Sequence, residues 1–395
     1  MFHNLKLKDF IQLLVVILIA VIGGYYYVNT IARNKLWLKT YPLRAKLSNQ
    51  QLTCSPNAPT WLADIIKNQT TYGNAPSNQI AFIDKNNQIH HCENGYIGQY
   101  PLLSDPVTQT TRFRYASVTK LWTSDATLEL IKQNKLSFDT PITQILTEVN
   151  NPKDLRINQI TVGQLLLHRG GFDRYTVFGG NDMFGIGEEI CPNHLDNLNK
   201  IQLNFSPNEK MSYSNLGYCL LGEIISRVNK QPYVQIIQQQ YHLTPTTIDF
   251  VENKPAIDEV FYNYVETDIT GFGDVYSAFD FKGLASAAGL SGNAINLAQQ
   301  AKMMMKKPSP NILTIPNTPC DLSKWQDCYG YATYAYQQSP LHKKVYYRDG
   351  RLLGLNTLLA MTEQGEVVAI LSNGNPLGSQ YQQNLVTQVY RILNH

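Results

Sequence analysis

The chain has 395 residues, of which 43% are hydrophobic and only 16% charged, with a formal net charge of +3. That length admits one large domain or two ordinary ones, and the apolar content excludes a disordered chain. The charge is too small to imply a nucleic-acid partner, and no basic run or zinc-knuckle spacing adds one.

The N-terminus departs from this average. From Phe10 to Val28 (FIQLLVVILIAVIGGYYYV) nineteen residues carry no charge, with Lys6 and Lys8 before them and Arg33 and Lys35 after. About 20 residues at a helical rise cross a hydrocarbon core of about 30 Å. A cleaved signal peptide has a shorter apolar run and a small-x-small site. This run ends in Gly23, Gly24 and three tyrosines, an interfacial aromatic belt. Residues 10–28 are therefore expected to be an uncleaved anchor in the inner membrane, between a tail (1–9) and a polar juxtamembrane linker (29–58). Residues 59–395 form the soluble domain.

The side of the membrane is argued both ways. Arg33, Lys35, Lys39, Arg44 and Lys46 after the run favour a cytoplasmic body by the positive-inside rule. The six cysteines (Cys54, Cys92, Cys191, Cys219, Cys320, Cys328) form an even set without a CxxC pair, which favours an oxidising compartment. Cys320 and Cys328 bracket a short loop that a disulfide can close.

Beyond the linker, Gln79–Asp84 and Gln88–Cys92 read as strands about an Asn86-Asn87 turn. Helical spacing runs from Ser117 to Lys135, from Thr161 to His168 up to Gly170-Gly171, from Ser214 to Val228, and from Asn293 to Lys306. The period then changes. Val345–Asp349, Asn356–Thr362 and Glu366–Ser372 read as strands, and Gln383–Leu393 as a closing helix. Strands at both ends with helices between them predict an α+β fold: an antiparallel sheet built from both chain ends, flanked by helices, with a helical lobe inserted.

The chemistry is narrowed by what is missing. There is no G-x-S-x-G elbow, HExxH, Walker A loop or EF-hand loop, and Gly271-Phe-Gly273 is a lone GxG without strand–turn–helix context. His90 and His91 are expected on opposite faces of a strand, one at the surface and one in the core, rather than as a metal pair. No metal and no cofactor are expected. What remains is Ser117-Val-Thr-Lys120. A serine at the start of an apolar helix meets free N–H groups and the positive end of the helix dipole, which favour a developing negative charge. Lys120, three residues on, lies on the same face within reach of the hydroxyl; Ser117 as a plain helix cap is the alternative. Tyr213-Ser-Asn215 stands at the head of another apolar helix. There a tyrosine can relay a proton beside cations, Asn215 can orient an amide or the lysine, and a capping Ser-Asn pair beside a core tyrosine is the alternative.

These elements and their surroundings resemble a known family. YASVTKLWTSDATLELIKQNKLSFDTPI resembles the first catalytic helix of the class C β-lactamases and their D,D-peptidase-like relatives. ITVGQLLLHRGGF is similar to a second block of that family, with Arg169-Gly170 where Thr-Ser is usual. FSPNEKMSYSNLGYCLLGEII, FKGLASAAGLSGNAINLAQQAKMM and VVAILSNGNP resemble three more, in the same order. The resemblance implies a β-lactamase/penicillin-binding-protein-like fold and acyl transfer. Ser117 attacks a carbonyl, Lys120 and Tyr213 handle protons, and the backbone N–H groups of Ser117 and Arg351 form the oxyanion hole. The third motif departs from the family's Lys-Thr-Gly or His-x-Gly: here it is Arg348-Asp-Gly350. Arg348 is expected to grip a substrate carboxylate bidentately, and Gly350 to let the backbone approach the substrate; an exposed strand cation is the alternative for Arg348. The substrate class is a small molecule or peptide amide or ester, carboxylate-bearing, cleaved outside the cytoplasm. A membrane-anchored, non-catalytic binding or sensor module on the same fold is the competing reading.

Overall fold

The computed structural model describes residues 7–173, 190–262, 274–316, 319–374 and 379–395, with side chains for all of these except Leu7, Asp9, Tyr27, Val28, residues 30–34, Leu102 and Ser379. The lone Gly271-Phe-Gly273 lies outside the described residues.

The chain begins with helices α1 (Leu7–Val28), α2 (Thr30–Gln50) and α3 (Thr60–Tyr72) around a short β1 (Thr53–Cys54). A hairpin follows, β2 (Asn78–Ile83) and β3 (Ile89–Asn94). Its turn is set locally: one carboxylate oxygen of Asp84 accepts the N–H groups of Asn86 and Gln88, both at 2.8 Å, and Asn87 takes φ 64°. The C-terminal part supplies β7 (Cys328–Tyr329), β8 (Tyr334–Tyr336), β9 (Val345–Leu352), β10 (Leu355–Thr362) and β11 (Val367–Ser372). β11 pairs antiparallel with β2, Ile370 opposite Ile80, so both chain ends join one eight-stranded sheet of order β1-β3-β2-β11-β10-β9-β8-β7.

Strand alternation gives the sheet two buried faces. Ile80, Leu358 and Ile370 pack against α3 and the final helix, α10 (Ser379–Asn394), through Leu62, Ile66, Leu385 and Val389. Ala81, Leu359 and Ala369 face the inserted lobe. That lobe holds a small sheet, β4 (Phe113–Arg114), β6 (Leu290–Gly292) and β5 (Ile248–Phe250). Its helices are α4 (Lys120–Lys132), α5 (Val162–Leu166), α6 (Asn215–Asn229), α7 (Tyr233–Gln240), α8 (Ala285–Ala288) and α9 (Ala294–Met305). The caps explain three of the starts. Thr161 and Gln164 make a reciprocal capping box, Ser214 Oγ accepts the Gly217 N–H, and Asn293 Oδ1 accepts the Asn296 N–H.

Residues 29–58, expected as a linker, are largely the helix α2, and it is docked. Tyr41, Ala45 and Ser48 form a buried stripe, the Tyr41 hydroxyl donates to the Thr70 carbonyl at 2.5 Å, and Asn94 Nδ2 donates to Asn49 Oδ1 at 3.0 Å. So narrow a stripe, with Pro42 inside the helix, leaves little apolar periodicity to read. Among the described residues no helix is long and apolar enough to cross a membrane. In α1, where side chains are described without a gap only over residues 10–26, the large aliphatic and aromatic side chains from Phe10 to Ile22 are 47% to 64% exposed.

All six cysteines are paired, Cys54–Cys92, Cys191–Cys219 and Cys320–Cys328. The histidine pair on β3 departs from the expectation: neither is a core or a surface residue. His90 lies 3.8 Å from Asp84, His91 Nδ1 lies 2.9 Å from Glu93, and both are partly covered.

Candidate active site

Ser117 sits in a 3₁₀ turn, Ala116–Thr119, that runs directly into α4. In a 3₁₀ turn residues i and i+3 eclipse, so the Ser117 and Lys120 side chains share one side. The turn is held under strain. Ala116 has φ 45°, a left-handed conformation costing a non-glycine residue on the order of 1–3 kcal/mol. Its neighbours hold it there: the Tyr115 N–H donates to the Leu290 carbonyl at 2.8 Å, and β9 presses on the other side. A Cβ on Gly350 would lie 2.4 Å from the Tyr115 carbonyl oxygen and 3.1 Å from the Ser117 nitrogen. The glycine thus serves an approach of strand to the Ser117 turn, where a substrate approach was expected. Gly350→Ala should force β9 off Ser117. We expect a stability loss of about 1–3 kcal/mol, read by thermal melting, and a turnover loss of about 100-fold, since displacement by one ångström is enough for that.

The structure brings Ser117, Lys120 and Tyr213 together. Ser117 Oγ and the Tyr213 hydroxyl are 2.6 Å apart. Lys120 is fully buried and donates to Ser117 Oγ at 3.4 Å, Asn215 Oδ1 at 2.7 Å and the Ala287 carbonyl at 3.0 Å. These three acceptors match the three N–H groups of an ammonium. The same Nζ lies 4.8 Å from the centre of the Tyr213 ring and 5.3 Å from that of Tyr218. Asn215, at the first turn of α6, therefore orients the lysine; of its two expected uses this is the one the geometry shows. The Ala287 carbonyl has no signature in the sequence, being backbone brought in by α8.

Arg348 does not stand as expected. It is 1% exposed, its Nε donates to the Ser117 carbonyl at 3.1 Å, and a terminal N–H donates to the Tyr213 hydroxyl at 2.8 Å. The Nε/Nη2 side of the guanidinium, one of its two forks, is thus turned to the Ser117 turn and Tyr213. Burial pushes the guanidinium down, but the charge interactions around it, Tyr213 first, outweigh that and hold it above its ordinary value, so it stays charged. Burial also raises Tyr218 and, more strongly, Tyr329. Those two stay protonated, and Lys120 and Arg348 both lie against the Tyr213 ring. Arg351 does not replace Arg348 as a side-chain cation at the serine. It is offset by an odd number of residues along β9, so its side chain leaves the opposite face of the sheet; its backbone remains beside the Ser117 turn.

The geometry changes what Arg348 substitutions should do. Acting through Tyr213, Arg348→Ala should lower kcat about 10²- to 10³-fold on carboxylate-bearing and neutral substrates alike, the loss of one charge-assisted donor in a buried site. Arg348→Lys should recover only part. A loss confined to KM for carboxylates, measured on matched ester pairs, would restore the substrate-gripping role.

An antiparallel sheet closed by both chain ends, with an inserted helical lobe that sets a serine, a lysine and a tyrosine against the sheet, defines the β-lactamase-fold serine hydrolases. The chain belongs to that family: the family described as Beta-lactamase matches residues 62–388. A relative from Dichelobacter nodosus, described as "Putative fimbrial assembly protein FimD, serogroup D", is 33% identical over 377 residues, 94% of this chain and 93% of that protein. Among solved structures, the D-amino acid amidase of Ochrobactrum anthropi SV3 superposes with a TM-score of 0.67 at 18% identity, covering 85% of this chain and 97% of its own. A class C β-lactamase gives 0.65 at 17% identity, covering 84% and 94%. These two share the fold.

Proposed function

We propose that the chain is a serine hydrolase acting through a covalent acyl-enzyme on an amide or ester, with Ser117 as nucleophile and Tyr213 as the group that takes its proton. The observation that carries this reading is the 2.6 Å contact between Ser117 Oγ and a tyrosine hydroxyl that receives an Arg348 N–H and faces Lys120 through its ring. Lys120 already donates toward three acceptors, so it acts as a fixed positive charge rather than as the resting base. As Oγ bonds to the carbonyl carbon, its proton passes to the Tyr213 oxygen, which must be the phenolate for this step, and the carbonyl oxygen becomes an oxyanion. The Ser117 and Arg351 N–H groups receive that charge, a role supported by the closeness of β9 to the Ser117 nitrogen. Tyr213 then protonates the leaving group as the C–N or C–O bond breaks. In the second half the Tyr213 phenolate takes a proton from the water that attacks the acyl-enzyme, and returns it to Ser117 Oγ as the acyl bond breaks.

The substrate is a small molecule or peptide, and the contacts of Arg348 to Ser117 and Tyr213 weaken the case for a carboxylate on it. A fluorescent penicillin and a fluorophosphonate, each followed by mass mapping, test the reading. An adduct on Ser117 is expected; its absence with both probes favours the non-catalytic binding module.

We further propose that residues 10–28 anchor the chain in the inner membrane, with the body outside the cytoplasm. The uncharged run continues through Val28, the large apolar side chains from Phe10 to Ile22 are exposed, and three disulfides belong to an oxidising compartment. A reporter active only in the cytoplasm, fused after His395, should stay dark; a signal would put the basic flank from Arg33 to Lys46 in command of the topology. The Dichelobacter nodosus relative suggests a setting, fimbrial assembly, in which such an anchored hydrolase acts at the cell envelope.

A further inference from the structure

His168 follows the short helix α5 with a left-handed backbone, φ 54°, and is 2% exposed. Two of its atoms hold the amides on either side of Tyr213. Its carbonyl accepts the Ser212 N–H at 2.8 Å, and its Nδ1 accepts the Ser214 N–H at 3.1 Å. One residue on, the Arg169 carbonyl accepts the Asn208 N–H at 2.8 Å, so the two segments run together into the tyrosine. The imidazole packs against Tyr213, with ring centres 4.5 Å apart, and against Tyr218 and Tyr329 at 4.9 and 5.0 Å.

A backbone N–H can only donate, so Nδ1 must carry a lone pair, and the ring is the neutral tautomer with its proton on Nε2. The charged and titratable groups around it point the same way. Tyr213, Tyr218 and Tyr329 face the ring directly. Lys120 lies over the Tyr213 and Tyr218 rings, and Arg348 over the Tyr213 and Tyr329 rings. Two nearby cations oppose a third. A proton forced onto Nδ1 would replace an acceptor with a donor facing the Ser214 N–H, and that contact would open. Ser214 is also the cap of α6, so the release would act on the loop that carries the Tyr213 hydroxyl.

We propose that neutral His168 is the positioning residue that sets the reach of Tyr213 to Ser117, and that its protonation produces the acid limb of activity. This rests on the hydrolase reading above, through the role given to Tyr213.

The test measures the rate of fluorophosphonate labelling of Ser117 in the full chain, from about pH 4 to pH 9, a window that extends well below an ordinary histidine; a wild-type rate flat to its lower end would overturn the acid-limb claim. Wild type is compared with His168→Phe, which keeps a ring but no acceptor, and His168→Asn, whose side-chain oxygen can stand near Nδ1. Thermal midpoints are recorded for all three. Phenylalanine should slow labelling about 10- to 100-fold, as expected for an amide left without its acceptor. Asparagine should recover most of the rate and, having nothing to titrate, should lack the acid limb. Equal rates for Phe and Asn, or a faster Phe variant, would mean that packing alone matters and would overturn the inference. An unchanged acid limb in His168→Asn would do the same, and this outcome can be read even if the Phe variant fails to fold. Wild type that never labels at Ser117 would instead bring down the hydrolase reading itself, so the two failures are told apart.

Discussion

Replacing Ser117 with alanine is expected to abolish covalent labelling and to reduce turnover by about 10⁴-fold or more, while the thermal midpoint shifts by a few degrees at most. The size of the first effect follows from the chemistry. Without Oγ there is no acyl-enzyme, and the remaining groups can only stabilise charge during direct attack by water. The smallness of the second follows from the contacts. Ser117 Oγ meets the Tyr213 hydroxyl and the Lys120 ammonium, and losing one net hydrogen bond costs about 1 kcal/mol. Ala116 keeps its left-handed backbone, because it is β6 and Gly350 that hold it, not the hydroxyl. Label incorporation and steady-state turnover of the same preparation check both halves. Retention of more than a few per cent of activity would remove Ser117 from the mechanism.

The parts of this site that were legible in the sequence are those set by local spacing. An S-x-x-K at the mouth of an apolar run places two side chains on one side of one turn, whether that turn is α or 3₁₀. Ser214 before an apolar helix announces the cap that fixes Tyr213 and Asn215 at its head. The change of period in the last quarter marks its strands, whereas burial of both faces of the sheet is a matter of packing. What could not be read depends on partners distant along the chain. Arg348 carries the same letters whether it faces solvent, a carboxylate or Tyr213, 135 residues away, and only packing decides. His168 sat inside a recognised block without being singled out, because its role passes through the backbone N–H groups of Ser212 and Ser214, which no residue type encodes. Among the disulfides, the eight-residue loop of Cys320–Cys328 was suggested by proximity. Cys54–Cys92 and Cys191–Cys219 were not, since spacing does not determine connectivity.

Tyr213→Phe and Lys120→Ala should each lower turnover by about 10²- to 10⁴-fold, and the double variant should lose far less than the product of the two. The geometry gives the reason. Tyr213 is the nearer proton acceptor at 2.6 Å, yet its oxygen can take up negative charge only beside the positive charges of Lys120 and Arg348. Without the tyrosine, the lysine has no phenolate to stabilise; without the lysine, the tyrosine is a poorer base. Each substitution disables most of what the other serves. Side effects differ and can be separated by melting curves. Tyr213→Phe leaves a buried Arg348 N–H without its phenol oxygen, whereas Lys120→Ala leaves the Ala287 carbonyl without the lysine. Each is an unsatisfied buried group costing about 1–3 kcal/mol. The decisive quantity is the coupling in kcat across the four-member cycle, with all variants held well below their midpoints. Strictly multiplicative losses would show that Lys120 and Tyr213 work independently. Proton transfer from Ser117 would then have to be assigned to one of them without the help of the other.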